Sequence, residues 1–70
     1  MKHIATSRIF ETPSGILGER YVCTCGAAST AAQMAGTPDG LAASALFGHR
    51  PCAAIQLLHN SGKDRAEIDD

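Results

Sequence analysis

Cys23-Thr24-Cys25-Gly26 and His49-Arg50-Pro51-Cys52 are the two stretches on which the fold of this 70-residue chain hinges. They hold all three cysteines and one of the three histidines. Three thiols cannot all pair as disulfides, but three thiolates and one imidazole make a closed tetrahedral set for zinc. Gly26 follows the second thiol directly, and a residue without a Cβ lets the backbone turn sharply enough for amides to face the sulfurs. His49 and Cys52 stand three apart; around a helix end their Cβ atoms would be about 5–6 Å from each other. A helix N-terminus at Cys52, with Arg50 beside it, favours the thiolate. The expected site is one zinc ion on Cys23, Cys25, His49 and Cys52. His59 lies about 10.5 Å of helical rise beyond Cys52 and reads as a capping or core-edge residue. His3 takes the place of His49 only if the first strand runs beside the Cys-x-Cys. The competing readings are thiols packed as small hydrophobes and redox or catalytic thiols. Two paired spacings in so short a chain favour the metal.

The rest of the sequence explains why a staple is needed. Twelve of the hydrophobic residues are Ala, and there are two Phe, one Tyr and no Trp. At about 25 cal/mol per Å² of buried apolar surface, such a core falls short of the ordering entropy. Small scaffolds of this kind lean on disulfides, a metal or a second subunit. Nothing approaches the roughly 20 apolar residues of a membrane span. Met1 to Arg8 contains no apolar signal-peptide region. The expectation is a cytoplasmic protein, where reducing conditions make spaced cysteines metal ligands rather than disulfides.

Outward from the ligand stretches, the expected fold class is α+β: a small zinc-stapled domain with an N-terminal β-hairpin followed by two or three short helices. Residues 4–11 and 19–24 read as the strands around a Thr12-Pro13-Ser14-Gly15 turn, with Gly18 as a possible bulge. Ser29 could cap a short turn of helix to Ala35, stopped by Gly36. Thr37-Pro38-Asp39 supplies an N-cap, an N1 proline and a first-turn acid for a helix to Phe47, ended by Gly48. Leu41, Ala45 and His49 form its stripe, which Leu46 widens, leaving Phe47 off it. A last helix follows Pro51, from Cys52 to His59. Residues 1–60 read as the zinc-binding domain and 61–70 as a polar, solvated tail.

A hairpin with two Cys followed by a helix with His and Cys resembles the CCHC variety of ββα zinc finger, over about residues 19–53. The matching positions are Cys23, Cys25, His49 and Cys52. The Cys pair encloses one residue rather than two to four, and 23 residues rather than about 12 separate it from the His. The 37–48 helix lacks the Arg, Asn or Gln that read bases, so the family's DNA function is not implied. A looser similarity is to CDGSH iron–sulfur proteins, which use Cys-x-Cys; their Cys-Asp-Gly-x-His element is missing here.

The net charge is −1, and from Tyr21 to His49 the only formal charge is Asp39. That uncharged stretch, with Leu57 off the last helix's apolar face, points to a protein-interaction module, an adaptor or inhibitor of a larger protein, or to a homodimer. The alternative is nucleic-acid binding through Arg8, Arg20 and Arg50 with Tyr21 for stacking. Enzymatic function is not expected. Cys52 beside His49 lacks an orienting group, a four-ligand zinc site is closed, and no phosphate-loop glycine pattern occurs.

Overall fold

The computed structural model describes residues 1–69; Asp70 and the side chains of Leu46 and Phe47 lie outside the described residues, as do the expectations placed on them. The elements are β1 (Lys2–Glu11), β2 (Leu17–Cys23), β3 (Ala28–Thr30), α1 (Ala31–Ala35), α2 (Pro38–Phe47), α3 (Ala53–Ser61) and β4 (Arg65–Asp69). The α+β class expected from the sequence is the class observed. All strands are antiparallel, in the order β3-β2-β1-β4.

The hairpin turn sets the register of everything that follows. Gly15 N donates to Thr12 O and Thr12 N to Ile16 O, with Gly15 at φ 84°, a value open to a residue without a Cβ. Across the hairpin, paired positions sum to 28, from Glu11 with Leu17 down to Ala5 with Cys23. Gly18 is no bulge. It pairs in register with Phe10, and the Phe10 ring fills the space a side chain would need: a Cβ there would stand 2.6 Å from Cζ.

The two sheet faces differ. The buried strand residues Ala5, Tyr21, Cys23, Ser29 and Ala66 all lie on one face, against Ala54, Ile55 and Leu58 of α3. None of the other face's residues is buried. α3 carries its apolar residues on one stripe, so burying that stripe on the sheet makes the core. α1 starts at a capping box, Thr30 Oγ1 accepting from Gln33 N while Gln33 Oε1 accepts from Thr30 N, and stops at left-handed Gly36. α2 starts at the Thr37 cap and rests on α1, where Gly40 comes so close to the Ala32 carbonyl that a Cβ has no room.

Residues 61–69 of the expected 61–70 tail are not free. Gly62 ends α3 at φ 69°, Ser7 N donates to Asp64 O, and Arg65–Asp69 pairs with Lys2–Thr6. The segment is charged yet alternates: Ala66 and Ile68 face α3, while Glu67 faces out to Lys2 at 3.0 Å and Arg65 at 3.6 Å. Charge is what an exposed edge strand carries on its open side. The folded unit therefore continues past residue 60. Among the described residues no helix is long and apolar enough to cross a membrane.

Candidate metal centre

Four ligand atoms, from His3, Cys23, Cys25 and Cys52, all lie within 4.8 Å of one another, and the group could hold a metal ion. Three elements deliver them. β2 ends at Cys23, and a tight turn follows in which Gly26 N donates to Cys23 O and Cys23 N to Ala27 O. Gly26 sits at φ 95°, the sharp turn expected after Cys25. Cys52 is the N-cap of α3 and makes no side-chain capping bond, so its sulfur is left to the group. His3 arrives from β1, two residues before Ala5, whose cross-strand partner is Cys23. Its Nδ1 is 3.9 Å from Cys23 Sγ.

Thr24 holds this arrangement together. Its backbone N donates to Ile4 O, its Oγ1 accepts from Ile4 N at 3.1 Å and donates to Lys2 O at 3.4 Å. Both chain neighbours of His3 are thereby tied to the residue between the two cysteines. Neither Thr24 nor this role of His3 is evident from ligand spacing. The signal that finds them is the turn: a hairpin centred on Ser14 puts Ala5 opposite Cys23 and carries Ile4 to Thr24. The three cysteines are free thiols, Cys23 buried and Cys25 exposed.

His49 belongs elsewhere. Its place in the expected set assumed a helical His49-x-x-Cys52. Instead α2 ends at Gly48, with φ 79° and ψ 163°, and Arg50 bridges to Ala28 through paired backbone bonds of 3.0 Å. Side chains three apart on an extended segment point to opposite faces. His49 Nδ1 therefore meets Ser29 Oγ at 2.6 Å, in a buried polar cluster where Gln33 Oε1 accepts from Ser29 Oγ and Gln33 Nε2 donates to Gly48 O. The zinc-finger-like Cys-Cys-His-Cys order becomes His-Cys-Cys-Cys. His59 is the core-edge residue expected of it: its Nδ1 is 3.2 Å from Tyr21 Oη and its ring meets Tyr21 edge-on. Burial, and then the hydrogen bond to Glu19, push the Tyr21 hydroxyl up to about 12. Buried Tyr21 offers no face for stacking a base.

No protein-family model matches the chain, and neither the curated proteins nor the solved structures give a match. The site is therefore read from its geometry alone.

Proposed function

We propose that His3, Cys23, Cys25 and Cys52 bind one structural zinc ion and that the stapled fold acts as a protein-interaction module. The clustering of four ligand atoms carries the metal reading. An S₃N donor set is that of closed structural zinc sites, and zinc in such sites contributes directly to folding. The small core needs the help: Ile55 and Leu58 are the only large side chains fully buried among the described residues. A reducing, cytoplasmic setting keeps such thiols available to a metal. With four protein ligands no position is left for substrate, which favours a scaffold over an enzyme.

The interaction reading rests on the distal half of the hairpin. Ile9 and Leu17 are 67% and 70% exposed on the face that α3 covers elsewhere, and Ile16 stands at the turn between them. Exposed apolar residues on a protruding arm mark a contact surface.

Native mass spectrometry of protein purified without added metal tests the first part. The wild type and His49→Ala should each retain one zinc; His3→Ala should lose it. Zinc retained by His3→Ala and lost by His49→Ala would overturn the ligand set. Leu17→Ser should abolish partner capture or self-association while leaving zinc content unchanged.

A further inference from the structure

We infer that the open face of the sheet binds single-stranded nucleic acid through Arg8, Arg20 and Arg50, with Phe10 as the stacking platform for a base. The strand register places these residues. Arg8 and Arg20 are direct cross-strand partners, Arg20 pairs on its other side with Thr30, and Arg50 bridges to Ala28 in the next row. Paired residues share a face, so three guanidiniums and Phe10 lie on the side opposite α3. All three arginines are exposed, and none makes an ion pair or side-chain hydrogen bond among the described residues.

That arrangement calls for an anion. Like charges directly opposite one another across a pair of strands are destabilising, and no carboxylate relieves Arg8 and Arg20. Glu11 and Glu19 point to the other face, Glu19 accepting from Tyr21 Oη. Glu67 and Asp69 share the open face but sit at its far end, paired in register with Ile4 and Lys2. Lys2 and Arg65 balance them there, so the open face is basic toward the hairpin arm and neutral beside the chain's first residues.

Phe10 adds what a bare anion would not need. Its ring lies over Gly18, which holds one side of the ring against backbone, and the residue stays 39% exposed. Phe10 and Arg8 are two residues apart on one strand, about 6.8 Å. An aromatic held flat beside a row of guanidiniums combines backbone tracking with base stacking, the way single strands are bound without sequence preference. Arg20, Arg50, Thr30 and Phe10 also line an open groove of about 1080 Å³, whose far wall is formed by Asp39, Gly40 and Ala43 of α2. Glu19 and Asp39 line the same groove, so phosphates would keep to its arginine side.

The test is fluorescence anisotropy of the full chain as purified, with labelled oligothymidylate and oligouridylate of about a dozen nucleotides. Binding of either single strand is expected, with log K falling against log salt at a slope of about −2, from three contacts worth about 0.7 each. Arg20→Gln and Arg8→Gln should each weaken binding and lower the slope by about 0.7. Phe10→Leu should weaken it by about fivefold or more and leave the slope unchanged. Circular dichroism and metal content matching the wild type show that a variant is folded; if Phe10→Leu fails this check, the arginine variants decide. No binding, equal affinity for duplex DNA or for polyglutamate, or arginine variants indistinguishable from wild type would each overturn the proposal.

Discussion

α2 and α3 are helices of nearly equal length, ten and nine residues, yet they have opposite fates in the fold. α3 separates its apolar and polar residues and buries Ala54, Ile55 and Leu58 on the sheet. α2 is apolar or small almost all round, and its one substantial neighbour is the five-residue α1. Leu58 is 0% exposed; Leu41 is 58% exposed. Hydrophobicity alone therefore does not pull a helix into a core: a helix needs a directed stripe, and α3 has, in addition, a member of the thiol–imidazole cluster, Cys52, at its cap.

The comparison is broken most severely at that cap. Cys52→Ser should release the metal and unfold the chain, read as loss of the cooperative thermal transition, because the staple and the start of α3 are the same residue. A folded, cooperative Cys52→Ser protein would count against a structural metal. Next comes Leu58→Ala, expected to cost about 2–5 kcal/mol in a denaturant melt, the range for emptying a fully buried leucine site. Gly40→Ala sharpens the contrast from the other side. A Cβ there meets the Ala32 carbonyl oxygen and the Gln33 nitrogen, so α2 must lift from α1, at about 1–3 kcal/mol. Metal content should not change, since no ligand lies on either helix.

Tyr21, which ties α3 to the sheet through His59, offers a pH-dependent version. Its folded pKa is raised, so the neutral phenol is the form that folding favours. The stability it contributes is complete below about pH 10, the unfolded value, and is lost as pH rises toward 12. As the chain's only tyrosine, it reports cleanly. Phenolate absorbance should titrate near 12 in folded protein and near 10 in denaturant. The smallest effect is expected at Leu41→Ala, within about 0.5 kcal/mol, as for exposed positions generally.

Much of this molecule was legible from residue chemistry, and the part that was not has a common cause. The Thr12–Gly15 turn, the Thr37-Pro38 helix start and the Gly36 stop are local signals, each enforced by bonds within a few residues. His3 as the fourth member of the cluster, β3, and β4 depend on pairing between distant segments. The helical spacing that favoured His49 was sound for a helix, but Gly48 and the Arg50–Ala28 bridge make that segment extended. The polar look of residues 61–70 obscured the Ala66/Ile68 alternation because every outward position carries charge. Arg8 and Arg20 were recognisable as candidates for one patch; only the register showed them facing each other with nothing between.

The sheet order also bears on how the cluster is assembled. β1 is an inner strand, whereas β4, the last of the four in chain order, closes the far edge. Three of the four clustered side chains, His3, Cys23 and Cys25, come with the first hairpin and the Thr24 clamp, whereas Cys52 lies 27 positions beyond Cys25 at the start of α3. Closing the cluster and docking α3 on the sheet are therefore one event.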